Sequence, residues 1–483
     1  MKKLLFAIYI ILLLSVNAHA QTGTPPANQF TADDLIADTR FFKAALEEVH
    51  PSLYKYIPKD TLNSLFNTAI NRLSAPVTVK DFRIMLQKIL SRVGSGHTYF
   101  HPNPSVYNPK LHFYFPFLVV VRNQKLYIYK SFNAVYDIYA GYEIGSVQGE
   151  PAKNILANVY SYLSGEGLSN TYKDFKIEKT MTFTNAMDEL YGFRTNYLIK
   201  LQKDQSAPIE KTFAATFYRK TDTTFISYLL PSYKSPEQMR TISYPDSIAN
   251  TAILAIKSFA YNDREAYINF YASTFSQLKS RKIKNLIVDL RGNTGGATFG
   301  AVELLRYLLN KNFKVVDDYH ARVAMPSFKQ HIAPKDQELL TTVPFTAREK
   351  GGYTFSNMAS TKIAPNQDLN FKGRIYLLTD GGTYSVASMF ASCLKANAQV
   401  TVIGSETGGS ATALDVSPFL TVRLPRTGLT FNLPQVYVTL ANSGKSKSLG
   451  VTADVEVKPT PYQVYMKNDA VMSRVKQLID AGK

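Results

Sequence analysis

From Ala252 onward, short apolar runs of strand length alternate with longer runs of helical spacing, and this alternation restricts the second half of the chain to an α/β fold built on a sheet with flanking helices. Strands are expected at Ala252 to Ile256, Asn285 to Leu290 (buried), Arg374 to Leu378 and Val400 to Ile403. Helices are expected near Glu265 to Leu278, Ala301 to Leu309 and Ser385 to Ala396.

Upstream the pattern changes twice. Thr31 is placed to cap a helix whose apolar residues Leu35, Phe42, Leu46 and Val49 keep helical spacing as far as Pro51. Two further helical patterns follow, so residues 30–93 read as a small helical domain. From Phe113 the runs shorten to strand length, at Phe117 to Val121 and Leu126 to Tyr129, and Gly141 to Pro151 implies a strand, a turn and a helix from about Ala152. Residues 170–250 are polar and rich in Tyr and Thr, and they yield no clear elements. The boundaries expected are 30–110 for the helical domain, 111–250 for the β-rich region, 251–460 for the core and 461–483 for a tail.

Residues 1–20 carry Lys2 and Lys3, an apolar run from Leu4 to Val16, and Ala18-His19-Ala20, the small-x-small pattern of a signal peptide cleaved after Ala20. The mature chain is expected to begin at Gln21 and to be periplasmic or secreted. No later stretch reaches 18 uninterrupted apolar residues, so no transmembrane segment is expected. Cys393 is the single cysteine, which excludes an internal disulfide and leaves stability to the hydrophobic core. The net charge is +18, and removing Lys2 and Lys3 leaves 53 basic against 37 acidic residues, or +16. The cations are scattered and no nucleic-acid motif accompanies them, so a solvated basic surface is the reading and no nucleic-acid partner is expected.

The segment Ile375 to Ser385 runs from an apolar strand through Asp380-Gly381-Gly382 into a helix with apolar residues Val386, Met389, Phe390, Cys393 and Leu394. Ser385 therefore stands at a helix N-terminus, where free N–H groups can hold an oxyanion. Two readings are open at this point: a nucleophile, or only an N-cap. Every histidine precedes Ser385, so the Ser…Asp…His order of α/β-hydrolases is excluded, and Lys395 lies ten residues along the same helix, pointing away. His97, in Gly94-Ser95-Gly96-His97-Thr98 between a helix and an extended run, is the preferred base. His97 and His101 form an i, i+4 pair, but strand-like residues separate them and no accompanying Glu follows the metal pattern, so no metal and no cofactor is expected. Asp289 to Gly296 is a strand entering a Gly-rich loop that can bring backbone N–H groups to a carbonyl; it fits neither phosphate-loop pattern.

Together, the segments Gly94 to Thr98, Leu286 to Ala297, Leu377 to Ala411 and Leu449 to Val457 resemble family forty-one of the serine peptidases, which holds the tail-specific proteases and the tricorn-core enzymes. The resemblance implies a crotonase-like ββα superhelix as the catalytic core, with Gly141 to Pro151 as the end of a degenerate PDZ-like β module. It also implies Ser385 as nucleophile and the N–H groups of Gly295 and Val386 as the oxyanion hole. Ser410 occupies the position of the tail-specific branch's catalytic lysine, so the chain is more similar to the tricorn-like branch, with His97 as base. That branch's acid falls in Lys445 to Gly450, which holds no carboxylate, and Ala453 replaces a proline. Glu406 is the substitute expected, with Asp380 behind it, and a loop-tying role for Glu406 stays open. The function implied is an exported serine-type peptidase cutting polypeptides through an acyl-enzyme; the alternative is an inactive member that binds peptides or ligands.

Overall fold

Thr31 starts the structure as its side chain suggests. Its Oγ1 accepts from Asp34 N–H and the Asp34 carboxylate accepts from Thr31 N–H, each at 3.1 Å, a reciprocal cap on α1 (Ala32–Val49). The computed structural model describes residues 30–102, 112–218, 236–259, 263–441 and 449–482. The leader with its cleavage after Ala20, and Lys445 to Ser448, lie outside the described residues.

Helices α1, α2 (Lys59–Arg72) and α3 (Val79–Val93) pack through one apolar face each, and β1 (Tyr99–Phe100) follows. Phe42 is fully buried, meeting Phe66 at 5.6 Å and Phe431, far along the chain, at 4.9 Å. Burying such a side chain contributes about 1.5–3 kcal/mol, and Phe42→Ala would cost about 3–5 kcal/mol through the cavity it leaves. The helical layer is thus fastened to the core that follows it.

Next come β2 (Phe117–Arg122), β3 (Lys125–Ser131), β4 (Glu143–Val147), α4 (Ala152–Tyr162), α5 (Thr171–Lys179), α6 (Thr182–Tyr191), β5 (Asn196–Gln202) and β6 (Ile209–Ala214). The strands form an antiparallel sheet in the order β2-β3-β4-β5-β6, with α4 and α6 on a shared core of Phe115, Phe117, Ile155, Phe183 and Phe213. Much of this lies in the stretch that sequence patterning left unread.

The core contains β7 (Arg240–Ser243), β8 (Thr251–Ile256), α7 (Arg264–Ser280), β9 (Asn285–Asp289), α8 (Thr298–Leu308), β10 (Val316–Ala321), β11 (Arg374–Thr379), α9 (Val386–Asn397), β12 (Val400–Gly404), β13 (Ala413–Arg423), β14 (Thr430–Leu440), β15 (Val455–Glu456) and α10 (Ala470–Asp480). A six-stranded sheet runs β7-β8-β9-β11-β12-β15, antiparallel only at β7–β8. Helices α7, α8 and α9 cover one face, and α10 covers the other through Val471, Val475 and Leu478. The expected strands and helices of this half are all present within a few residues of their expected ends. A second sheet, not anticipated, centres on the long antiparallel pair β13–β14, whose other neighbours are β1 and β10. Among the described residues no helix is long and apolar enough to cross a membrane.

Candidate active site

The carboxyl ends of the parallel strands β9, β11 and β12 open into three loops, 290–297, 380–385 and 405–409, the edge where open α/β sheets bind ligands. Hydrogen bonds lock the first two together. Asp380 Oδ1 accepts from Gly292 N–H at 2.8 Å and Gly382 N–H at 2.9 Å, Thr383 Oγ1 donates to the Leu290 carbonyl at 3.0 Å, and Tyr384 N–H donates to the Asn293 carbonyl at 3.0 Å. Asp380 is thereby committed to backbone, although burial raises its pKa.

This frame ends at Ser385, which has φ +52° and ψ −124°. A side-chain-bearing residue held there costs about 1–3 kcal/mol and persists only where its surroundings impose it. Ser385 is the residue before the first turn of α9, yet its hydroxyl makes no capping bond. Instead its Oγ lies 3.3 Å from His97 Nε2. The N-cap alternative left open by the sequence is therefore not the role of this side chain.

His97 arrives from the other end of the chain. Gly94 ends α3 at φ +75°, and a short loop leads to β1, which pairs with β14 at Asn432 and Phe431. Asn432 Nδ2 donates to the His97 carbonyl at 2.5 Å, and Thr98 is gripped by His50 Nε2 at 2.9 Å and by Ser164 Oγ, which donates to its carbonyl at 2.6 Å. The imidazole sits between Tyr384 (ring centroids 5.1 Å apart) and Phe419 (4.7 Å). Burial pushes its pKa down to about 4; Asp415 opposes the shift and Lys176 adds to it. At neutral pH the ring is uncharged, the form that can take a proton.

Gly295 lies directly against the serine. Its φ is +103°, and a Cβ there would stand 2.8 Å from Ser385 Cβ and 3.0 Å from Val386 N. Its N–H, an expected oxyanion donor, is turned to Asn293 Oδ1 at 2.9 Å, an acceptor fixed by the Asn293 Nδ2 bond to the Ile256 carbonyl. Gly295 thus leaves room beside Ser385 while its own N–H is engaged. The N–H of Val386 has no partner among the described residues, as expected for the first helical position.

Glu406 is not brought to His97. Its Oε1 accepts from Gly450 N–H at 2.8 Å, which ties two loops, and no hydrogen bond or ion pair joins it to the imidazole among the described residues. Asp415 on β13, 5% exposed, is the carboxylate whose charge opposes the downward shift of His97, and both its oxygens accept from Ser52 Oγ at 2.8 and 3.0 Å. Sequence reading passed over Asp415, although a lone carboxylate in the apolar run Ala413 to Val416 was a signal, since buried carboxylates are rare. It also passed over Lys176, whose Nζ donates to the Ser164 carbonyl at 2.6 Å and whose pKa burial lowers to about 7. Ser410 is fully buried and accepts from Thr412 N–H at 3.2 Å, and Lys395 is paired with Asp454 at 2.7 Å, away from the serine.

Residues 250–457 match the model of Peptidase family S41. The nisin-resistance protein of Lactococcus lactis subsp. lactis is 31% identical over 168 residues, which make up 34% of this chain and 45% of that protein, so the match spans less than half of the curated relative. Among solved structures, mature CPAF superposes with a TM-score of 0.60 at 14% identity, covering 93% of this chain and 97% of the other. Mature CPAF complexed with lactacystin gives 0.62 at 15% identity, covering 93% and 98%. At such identities the likeness speaks to fold, and the family match speaks to residues 250–457, which hold the Ser385 turn and the Gly-rich loop. In sequence, residues 250–457 are thus similar to peptidase family S41, and the fold of the chain is similar to that of mature CPAF.

Proposed function

We propose that the chain is an exported serine peptidase that hydrolyses polypeptides through an acyl-enzyme on Ser385. The observation that carries this reading is the uncapped, strained Ser385 with its Oγ 3.3 Å from His97 Nε2. His97 takes the hydroxyl proton as Oγ attacks the scissile carbonyl and returns it to the leaving amine; water then repeats the sequence on the ester. Val386 N–H faces the developing oxyanion, and Gly295 supplies the space for it. Asp415 stabilises the imidazolium through its field rather than through a direct hydrogen bond.

In this reading the core is the crotonase-like unit and residues 111–250 are the PDZ-like module. A cleft of about 880 Å³ lies between Val121 and Arg122 of β2, Phe175 of α5, and Gly292 and Thr294 of the Gly-rich loop. A cleft of that size that reaches the nucleophile's neighbouring loop suits an extended, unfolded chain. Export is read from residues 1–20.

The rival reading, a family member that binds without cutting, draws on the engaged Gly295 N–H and on the lack of a carboxylate bonded to His97 among the described residues. Fluorophosphonate labelling with peptide mapping separates the two. One adduct per chain at Ser385 is expected, lost in Ser385→Ala and slowed by about two to four orders of magnitude in His97→Ala. Folded wild type that stays unlabelled and leaves unfolded polypeptides uncut would transfer the case to the binder.

A further inference from the structure

Glu166 lies on the connection between α4 and α5, remote from Ser385 in sequence, and is 6% exposed. That connection brackets the His97 loop on both sides. Gly167 N–H donates to the Gly94 carbonyl at 2.8 Å, and Ser164 Oγ donates to the Thr98 carbonyl at 2.6 Å. From between these two ties, Glu166 Oε2 accepts from Tyr384 Oη at 3.0 Å.

Tyr384 is the residue before the nucleophile and is 2% exposed. Its ring stacks on Tyr172 with centroids 4.0 Å apart and planes within 8°, and it flanks the imidazole of His97. Its hydroxyl also fills the space beside Gly96, where a Cβ would stand 2.3 Å from Oη. One phenol therefore stands against Gly96, the residue before His97, flanks the His97 ring, and belongs to the residue peptide-bonded to Ser385. The bond to Glu166 fixes the far end of that phenol.

We propose that Glu166 is a positioning residue for the Ser385–His97 pair, acting through the hydroxyl of Tyr384. The proposal rests on the peptidase reading above and adds to it a group the reaction itself does not touch. Burial raises the Glu166 carboxyl to about 8, with the Asp415 charge adding to the rise and the Tyr384 bond and Lys55 opposing it. The groups that face it are Lys55 and Tyr56 after α1, Tyr172 on α5, Tyr384, Asp415 on β13 and Tyr437 on β14. Around neutral pH the carboxyl is uncharged, and the tyrosine can donate to it without a buried charge. The Tyr384 bond favours the charged carboxyl, so above pH 8, where Glu166 ionises, the hold on the phenol is kept.

The test is the rate of fluorophosphonate labelling against pH for wild type, Glu166→Ala, Glu166→Gln and Tyr384→Phe, with circular dichroism on each. Glu166→Ala and Tyr384→Phe should slow labelling at pH 7 by up to about a hundredfold, the scale of a misplaced reacting group. Glu166→Gln, an uncharged isostere that still accepts the bond, should rescue the alanine variant's loss. A folded Glu166→Gln variant that labels as slowly as Glu166→Ala would overturn the proposal. So would folded Glu166→Ala and Tyr384→Phe variants that label at the wild-type rate. Wild type unlabelled at every pH would sink the peptidase reading itself, and this proposal with it.

Discussion

Replacing Gly295 by alanine probes the space beside the nucleophile with one methyl group. The new Cβ would stand 2.8 Å from Ser385 Cβ, 3.0 Å from Val386 N and 3.1 Å from the Tyr384 carbonyl oxygen. None of these is the yielding end of a flexible side chain, so the serine turn itself has to move. The φ of +103° adds about 1–3 kcal/mol of backbone strain, and overpacking adds about 1–3 kcal/mol more. A shift of Ser385 by a fraction of an ångström, together with crowding of the Val386 N–H, removes alignment and an oxyanion donor at once. Loss of one such donor costs about 10²–10³ in rate, so fluorophosphonate labelling should slow by at least about a hundredfold. Gly141→Ala is the control: its φ of +90° imposes comparable strain, but nothing lies within 4 Å of the added Cβ. The assay is labelling by intact mass on both variants, with thermal melts to measure strain. If Gly295→Ala melts lower but labels as fast as Gly141→Ala, the space beside Gly295 is not part of the reaction.

Because burial holds His97 at about 4, the acid limb of wild-type labelling should centre near pH 4 rather than near the ordinary 6.5. By the same linkage, stability is lost as pH falls from 6.5 toward 4, since the unfolded chain takes up the proton first. Asp415→Asn removes the carboxylate that opposes this shift; the acid limb should move lower still and labelling at pH 7 should slow by about tenfold, the worth of one pKa unit of imidazolium stabilisation. An unchanged limb would discard the field of Asp415 as a cause. Asp38 is fully buried and accepts from Arg426 N–H and Thr427 N–H, each at 2.8 Å, so Asp38→Ala should cost about 1–3 kcal/mol per orphaned donor in a denaturant melt. A midpoint that does not move would mean that water replaces the carboxylate there.

The strands and helices of the parallel core were legible because each carries its own period, and buried strands such as Leu286 to Val288 announce themselves locally. The reciprocal cap at Thr31 and the serine at the start of α9 were legible for the same reason. What patterning did not disclose was held by distant partners. The long strands β13 and β14 lean on the N-terminal helices through Leu420, Phe431 and Leu433, a contact no window of sequence contains. Glu406 is the substitute expected because Lys445 to Gly450 holds no carboxylate, whereas the carboxylate whose field acts on His97 rides on β13, a strand the sequence pattern does not disclose. Helix α5 stayed hidden because it is nine residues long and five of them are lysine or acid, with the charged Lys173 among its buried residues.

The glycines of the nucleophile turn show how far that non-locality goes. In sequence, Gly381 and Gly382 read as turn residues chosen for conformational freedom, yet neither adopts a positive φ. A Cβ at Gly381 would stand 2.3 Å from the Thr171 carbonyl oxygen, and one at Gly382 would stand 2.3 Å from Phe175 Cε2. Both contacts belong to α5. The two glycines are therefore required by the close approach of a helix from the preceding module, not by the bend of their own chain. That approach also carries Tyr172 onto Tyr384 and Lys176 into the field of His97. The same nine residues thus fix the shape of the turn that ends at Ser385 and part of the electrostatics of His97, so a change in how α5 seats on the turn would reach both residues together.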